Sequence, residues 1–287
     1  MDVKNQNRIA IVTGASSGLG LESVVQLAAS GIEVVLVCRT IEKAEQSAAE
    51  VRARLIKNVR LSPMAADLSS QADIRRLAGD LQIRYDHIDV LLNNAGAVFA
   101  RFQKSADGLE MNMAVNHFSY FLLTNLLLPQ LKKAPRGRIV NLSSNAHHMG
   151  NMDVESFTHE RNYSLLKAYA QSKLANVLFT TELAQQLSGT TVAVNTVSPG
   201  RVRTTIGSRN QPLFYRLVWS TLNHLGAVSI EEGAAMQVSA ALDDKWEGVS
   251  GKYLEKNELR NPSSKSQDKQ LAAMLWEISE QLCPLGL

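Results

Sequence analysis

The sequence has few cysteines, no basic run and no long apolar stretch, and each shortage excludes a class of protein. Cys38 and Cys283 are the only cysteines among 287 residues. Two are too few for a disulfide framework, so we expect a soluble protein of a reducing compartment, the cytoplasm.

The net charge is only +3 and no Lys/Arg run could follow a phosphate backbone, so nucleic acid is not predicted as a partner. The longest apolar runs, such as 120–131, are too short and interrupted to span a bilayer, and the polar residues 1–8 predict neither a signal peptide nor an anchor.

Linkers, repeats and metal motifs are also missing. No Pro/Gly/Ser-rich linker and no internal repeat divides the chain, which predicts a single domain over 1–287. His147 and His148 are adjacent rather than three or four residues apart, and no cluster of acids and histidines accompanies them. No metal site is therefore predicted.

Short β-branched runs alternate with longer helical patterns up to about residue 198. Strands are predicted at 8–14, 33–39, 59–67, 88–94, 137–144 and 191–199. Amphipathic helices lie between them, for example at 41–56 and 70–85, and a final packing helix is predicted at 265–283. Apolar strands that alternate with helices predict an α/β protein with a single-domain Rossmann fold, a doubly wound parallel sheet of about seven strands and helices on both faces.

The first predicted strand leads directly into TGASSGLG, residues 13–20. Glycines at 14, 18 and 20 allow the backbone to turn sharply and approach a pyrophosphate, and the start of the following helix offers free N–H donors. The alternative is an ordinary glycine-rich turn. Its position after the first strand of an α/β chain favours nucleotide binding.

The end of the second predicted strand carries Cys38, Arg39 and Thr40, without an acidic residue. An Asp or Glu there usually holds the ribose 2′-hydroxyl of NAD, whereas a guanidinium can pair with a 2′-phosphate. A surface arginine is the alternative interpretation. Because the missing acid and the arginine agree, the sequence predicts NADP(H) as the cofactor.

Taken in order, the motifs resemble those of the short-chain dehydrogenase/reductase family over almost the whole chain. The matching segments are TGASSGLG, Asp67 in AADL, NNAG at 93–96, Asn116, NLSS at 141–144, YAQSK at 169–173 and SPGRVRT at 198–204. Residues 115–129, 143–150, 168–184 and 275–282 resemble the retinol dehydrogenase and protochlorophyllide reductase branch. The resemblance implies an oxidoreductase that moves hydride between a nicotinamide and a carbonyl or alcohol, with a cofactor half at about 8–144 and a catalytic and substrate half at about 145–287.

The resemblance also implies which residues bind the cofactor. They are Gly14, Ser16, Ser17, Gly18, Leu19, Gly20, Arg39, Thr40, Asp67, Leu68, Asn94, Ala95, Gly96, Tyr169, Lys173, Pro199, Gly200, Val202 and Thr204. Asp67 would hold the adenine amino group and Asn94 would lie beside the adenosine ribose. The nicotinamide side would be lined by Pro199, Gly200, Val202 and Thr204. Structural alternatives are that Asn93 only ties neighbouring strands together and that Asp67 caps helix 70–85.

The pattern Tyr-x-x-x-Lys occurs twice, at Tyr163–Lys167 and at Tyr169–Lys173. On one helix, positions six residues apart point about 240° apart, so both tyrosines cannot face one cofactor. The apolar stripe of the helix leaves Tyr169 and Lys173 on an edge that can meet the pocket, and the family pattern also fits Tyr169. Tyr169 is therefore predicted as the general acid/base, and the Tyr163 pattern as a coincidence.

The predicted chemistry needs a cation beside the phenol. A phenol has a pKa of about 10, and ionising it near neutrality requires roughly 4 kcal/mol, which one cation about 4 Å away can supply. Lys173, together with an oxidised nicotinamide, is predicted to do so, and in reduction Tyr169 would protonate the carbonyl oxygen. Strand alternation leaves Ser143 and Ser144 open. The resemblance selects Ser144 to bind the substrate oxygen, Lys173 to hold the ribose and Asn116 to anchor a relay water.

The connection 200–229 gathers apolar side chains beyond the sixth predicted strand, and we expect it to be a substrate lid. The predicted substrate residues are Ser144, Tyr169, Phe214, Tyr215 and Trp219. Such a pocket predicts a bulky apolar ketone, aldehyde or alcohol. For the aromatic group, core packing or a subunit contact is the alternative. A membrane contact of the segment 200–229 and a homo-oligomer are also left open.

A family member with different chemistry is the competing hypothesis. It would catalyse a dehydration or isomerisation, or bind a nucleotide in a regulatory role. The complete set of Asn116, Ser144, Tyr169 and Lys173 argues against a protein that only binds. It does not exclude redirected chemistry.

Overall fold

One continuous sheet of eight strands runs through the computed structural model, which describes residues 8–55, 58–200, 202 and 228–286. The strands are β1 Ile9–Thr13, β2 Glu33–Cys38, β3 Leu61–Ala65, β4 Val90–Asn93, β5 Gly137–Leu142, β6 Val192–Ser198, β7 Lys252–Glu255 and β8 Glu258–Arg260. Their order is β3-β2-β1-β4-β5-β6-β7-β8, and all neighbours are parallel except β7 and β8. The predicted doubly wound α/β fold is confirmed.

The eighth strand was not expected from the sequence, which predicts about seven. Lys256 and Asn257 have φ angles of +52° and +57°. Two left-handed residues in a row suit a tight two-residue hairpin, so β8 folds back on β7. All three residues of β8 are exposed, and the strand therefore lacks the apolar run by which the others are recognised.

Helices cover both faces of the sheet. They are α1 Gly18–Ala29, α2 Ile41–Leu55, α3 Gln71–Arg84, α4 Met111–Met113, α5 Ser119–Lys133, α6 Leu165–Gln186, α7 Ile230–Leu242 and α8 Lys269–Leu282. A π-helical turn, Ala114–Phe118, joins α4 to α5. The last helix begins later than the predicted 265, because Asp268 accepts hydrogen bonds from the free N–H groups of Gln270 and Leu271. In the described part of the chain, none of the helices has the length and apolarity needed to cross a membrane.

The strand β1 shows how the core is divided. Ala10 and Val12 face α1, α2 and α7, whereas Ile11 faces α3, α5, α6 and α8, and all three are fully buried. Successive strand residues point to opposite faces, so a strand covered on both sides must be apolar throughout. On the second face, Trp276 of α8 stacks on Phe179 of α6 with ring centroids 5.8 Å apart, which agrees with the predicted packing role of the last helix.

The order of the strands also positions the candidate site. From β1 the chain first builds outward to β2 and β3, then returns to the other side of β1 with β4. At such a switch point the segments that leave the carboxyl ends of the strands diverge and open a crevice. The segments after β1, β4, β5 and β6 all leave the sheet at this edge.

Candidate active site

Two serines follow β5, and the structure gives them different tasks. The Ser143 side chain is buried and donates a hydrogen bond to the Lys173 carbonyl at 2.8 Å, which ties the strand end to α6. Ser144 is only partly buried, and its Oγ accepts a hydrogen bond from the Ala146 N–H at 3.2 Å. The Ser144 side chain also lies near enough to the Tyr169 phenol that hydrogen bonding between them opposes the rise in the pKa of Tyr169. Ser144 is therefore the serine that meets the tyrosine.

Tyr169 and Lys173 lie one turn apart on α6. The Lys173 ammonium lies 5.7 Å from the centre of the Tyr169 ring and donates to the carbonyl of Leu142, the last residue of β5, at 3.2 Å. Lys173 is buried, whereas Tyr169 keeps partial exposure. A Cβ built on Gly96 would lie 3.6 Å from Lys173 Nζ, which places the segment after β4 against the same lysine.

Burial shifts the pKa values of both groups away from their ordinary values. It raises the pKa of Tyr169, and the Ser144 hydrogen bond offsets this only in part. It also lowers the pKa of Lys173 to about 7. A low-dielectric site disfavours phenolate and ammonium alike. In the protein alone, burial therefore keeps the Tyr169 phenol neutral, and the joint effect of Lys173 and an oxidised nicotinamide on its pKa stays a prediction.

Asn116 lies in the π-helical turn and joins two segments of the site. Its Oδ1 accepts from the Ala97 N–H at 2.8 Å, and its Nδ2 donates to the Ala97 carbonyl at 2.9 Å and to Ser172 Oγ at 3.0 Å. The side-chain amide is therefore engaged by protein groups that hold α6 against the exit of β4. Its predicted part in a water relay stays a prediction.

The glycine-rich turn is closely packed on one side and open on the other. A Cβ on Gly14 would lie 2.7 Å from the Ala95 backbone, and one on Gly20 only 2.2 Å from the Gly14 carbonyl. Gly18, with φ +57°, has no neighbour within 4 Å of such a Cβ. Ser17 makes no side-chain cap at the start of α1, and no acid stands in its first turn. These features leave the helix N-terminus open to an anion.

Asn94 braces this turn from the end of β4. Its Nδ2 donates to the carbonyl of Thr13 at 2.9 Å, and its Oδ1 accepts from Gln237 Nε2 at 3.2 Å. Gln237, fully buried on α7, accepts in turn from Ser23 of α1 at 2.9 Å. Neighbouring Asn93 donates to Asn141 of β5, which agrees with the interpretation that Asn93 ties neighbouring strands together.

The remaining predicted cofactor residues surround the crevice. Arg39 and Thr40 are exposed after β2, and the Arg39 guanidinium forms no hydrogen bond or ion pair with other described residues. Asp67 accepts two hydrogen bonds from Ser69 through one carboxylate oxygen. The helix α3 is capped by Ser70, so the alternative role of Asp67 as its cap is wrong.

On the other side of the crevice, the segment after β6 contacts α1 and α7. A Cβ built on Gly233 would lie 3.2 Å from the Val202 side chain and 3.5 Å from that of Pro199. Gly200, between them, has a φ of +74°. Thr204, Phe214, Tyr215 and Trp219 and most of the predicted lid 200–229 lie outside the described residues.

Tyr163 lies before the first residue of α6, so the angular comparison with Tyr169, which assumes one helix, does not apply to it. Its contacts separate the two tyrosines instead. The Tyr163 hydroxyl donates to the Phe99 carbonyl at 2.6 Å and accepts from Asn112 Nδ2 at 2.8 Å. It therefore has a structural task outside the Ser144–Tyr169–Lys173 group.

Comparisons with known proteins agree with this architecture. The family model for short chain dehydrogenases matches residues 8–212. Mouse retinol dehydrogenase 11 is 37% identical over 286 residues, which is 100% of this chain and 89% of that protein. An uncharacterized protein from Mycobacterium paratuberculosis superposes with a TM-score of 0.76 at 30% identity, over 96% of this chain and 93% of the other. A short chain dehydrogenase from Escherichia coli CFT073, complexed with NADPH, gives a TM-score of 0.69 at 25% identity. The match covers 88% of this chain and 98% of the other. The chain belongs to the short-chain dehydrogenase family and is similar to retinol dehydrogenases.

Several residues of the site were missed by the sequence analysis. Thr13, Ser172 and Gln237 all support predicted residues, but they reach them across the fold. Thr13 and Ser172 lie within the motifs TGASSGLG and YAQSK, and Gln237 is a polar residue on a mostly apolar helix, but none of these local signals identifies the partner. Tyr120, which donates to the Ala95 carbonyl at 2.7 Å, has no such signal.

Proposed function

We propose that the protein is an NADP(H)-dependent oxidoreductase that interconverts a bulky apolar ketone or aldehyde with its alcohol. The observation that carries the proposal is the meeting of Ser144 and Tyr169 beside the buried Lys173, at the edge of the sheet where the glycine-rich turn opens. A proton donor, a second hydroxyl and an anion-accepting turn are the parts that carbonyl reduction requires.

The crevice fits a dinucleotide with a 2′-phosphate. The uncapped start of α1 and the open side of Gly18 would accept the pyrophosphate. The exposed Arg39 would meet the 2′-phosphate, since no acid stands at the end of β2 to bind a free 2′-hydroxyl. Asp67 has one carboxylate oxygen without a partner in the described chain, and this oxygen would accept from the adenine amino group.

The bound nicotinamide would supply or accept the hydride. In reduction, Tyr169 donates its phenolic proton to the carbonyl oxygen as negative charge develops there. Ser144 Oγ accepts a hydrogen bond from the Ala146 N–H, and its own hydroxyl proton would donate to the same substrate oxygen. Lys173, once protonated, places a positive charge beside the phenolate that forms and stabilises it.

Two observations support an apolar substrate. The relatives named as retinol dehydrogenases point to a large apolar alcohol. In this chain, Met149 and Leu166 are large apolar side chains with 71% and 57% exposure. Leu166 precedes Tyr169 by three residues on α6, and so lies on the same side of the helix.

The proposal is tested by following the NADPH absorbance with a series of carbonyl compounds. All-trans-retinal and large aromatic ketones are expected to be reduced with higher kcat/KM than small polar aldehydes. Cofactor binding without turnover of any carbonyl, in either direction, would refute the proposed function. A preference for small polar substrates would refute its apolar part.

The choice of cofactor gives a separate prediction. We expect Arg39→Asp to lower the ratio of kcat/KM for NADPH to that for NADH by about 10- to 100-fold, because a charge-assisted hydrogen bond is replaced by repulsion. Steady-state kinetics with both cofactors measure the ratio. Arg52→Asp, the same charge change on the exposed side of α2, is the control and should leave the ratio unchanged. Preference of the unmodified protein for NADH would contradict the prediction.

A further inference from the structure

His147 lies three residues after Ser144 and is fully buried. Its ring packs between His148 and Tyr253 of β7, with centroids 4.0 and 4.9 Å away. Both ring nitrogens have partners. Nδ1 lies 2.8 Å from the Ser144 carbonyl oxygen, and Nε2 accepts from the Ser263 N–H at 3.1 Å.

These two contacts fix the protonation of the ring. The backbone N–H of Ser263 can only donate, so Nε2 must carry a lone pair. The Ser144 carbonyl can only accept, so Nδ1 must carry the proton. The neutral Nδ1–H tautomer alone satisfies both partners, and burial favours the neutral ring by lowering the pKa of His147.

The Ser263 contact has a fixed anchor. Ser263 caps the short 3-10 helix Ser264–Gln267 and accepts a hydrogen bond from the Ser266 N–H through its Oγ. Lys265 in the same turn donates to the Gly150 carbonyl at 3.2 Å. The turn is thus held against the segment that contains His147, and the imidazole spans the space between this turn and the end of β5.

At its other end the imidazole acts on the Ser144 backbone. The Ser144 carbonyl accepts from Nδ1 and also from the His147 backbone N–H at 3.0 Å, so two donors of one residue hold the peptide plane. That plane sets the direction of the Ser144 Cα–Cβ bond, and with it the Oγ that meets Tyr169. We propose that His147 is a positioning residue, which holds the Ser144 hydroxyl in line with Tyr169 by bridging the Ser144 carbonyl and the Ser263 N–H. This role rests on the proposed carbonyl reduction.

Variants can separate the two halves of the bridge. His147→Asn keeps a donor near the position of Nδ1 and loses the distant acceptor. His147→Gln can keep an acceptor near the position of Nε2 and loses the donor to Ser144, and His147→Leu loses both. His148→Leu, at the exposed neighbour, is the matched control. For each variant, kcat, KM for a large apolar ketone, the Kd of NADPH and the Tm are measured.

We expect His147→Gln and His147→Leu to lower kcat about tenfold, as for one lost hydrogen bond, with an unchanged Kd for NADPH. His147→Asn is expected to keep kcat within about threefold of the original protein, and His148→Leu to leave it unchanged. Wild-type kcat in the Gln and Leu variants would overturn the proposal, as would an Asn variant that loses as much as Gln. If kcat falls in proportion to Tm across the three His147 variants, regardless of which hydrogen bond each one keeps, then His147 only stabilises the fold and the proposal is wrong.

A second measurement does not depend on turnover. NMR of the protein with ¹⁵N-labelled histidine, with His147→Asn to assign the signal, reports the tautomer directly. The Nδ1–H form at pH 7 is expected, and the Nε2–H form would overturn the bridge. If the unmodified protein reduces no carbonyl, the proposed function fails, while the tautomer still reports on the bridge.

Discussion

Replacement of Tyr169 by phenylalanine is expected to lower kcat by about 10³-fold while the Kd of NADPH stays within about twofold. In the proposed reaction, the substitution removes the proton that the carbonyl oxygen receives, and burial keeps that proton on the phenol by raising the pKa of Tyr169. The ring that packs beside Lys173 is retained. Single-turnover reduction of a large apolar ketone, together with fluorescence titration of NADPH, measures the two quantities.

Tyr163→Phe is the matched control for this prediction. Its hydroxyl links the Phe99 carbonyl to the Asn112 amide, so its loss should cost about 1 kcal/mol of unfolding free energy and leave kcat almost unchanged. Activity that survives in Tyr169→Phe and disappears in Tyr163→Phe would reverse the assignment of the two tyrosines.

Replacement of Lys173 by methionine is expected to abolish turnover and to stabilise the fold by a few kcal/mol at pH 7. Burial lowers the pKa of Lys173 from 10.5 to about 7. Between these pH values the unfolded chain binds the proton that the folded chain releases, so wild-type stability rises from pH 7 towards pH 10.5. Below pH 7 the full cost of a buried charge remains. Methionine fills a similar volume without that cost.

Denaturant unfolding across this pH range tests the sign of the effect. The gain from Lys173→Met should be largest at pH 7 and below, and should shrink as the pH rises. Lys167→Met, at an exposed position of the same helix, should show neither the gain nor the pH dependence. A Lys173→Met protein that is less stable at pH 7 would mean that the folded protein holds this ammonium charged and well paired.

The strands and the glycine-rich turn could be predicted because their signals are local. Apolar runs at 8–14 and 137–144 become β1, Ile9–Thr13, and β5, Gly137–Leu142, with ends that differ by no more than two residues. Burial on both faces demands such runs wherever a central strand lies. The short strand β8 was not predicted, because it is exposed at the edge of the sheet, where no apolar side chains are needed.

Within the site, the sequence supplied residue types in a recognisable order, but not their contacts. Adjacent serines cannot be separated by period-two alternation, and only packing shows that Ser143 bonds to the α6 backbone while Ser144 meets Tyr169. The supporting hydrogen bond from Gln237 to Asn94 crosses 143 positions of the chain, and that from Ser263 to His147 crosses 116. No local pattern records such partners.

The sequence by itself determined the alternation of strands and helices, the glycine-rich turn after β1, the arginine after β2 and the Tyr-x-x-x-Lys pair on α6. Each depends on neighbours within a few residues, and local periodicity or turn chemistry is enough to reveal it. Tertiary structure alone decided the direction of the pKa shifts at Tyr169 and Lys173, because desolvation depends on what covers a group from other parts of the chain. Tertiary structure also separates two adjacent histidines that show no metal-binding pattern in the sequence. His148 is exposed, whereas His147 is buried and contacts the Ser144 carbonyl.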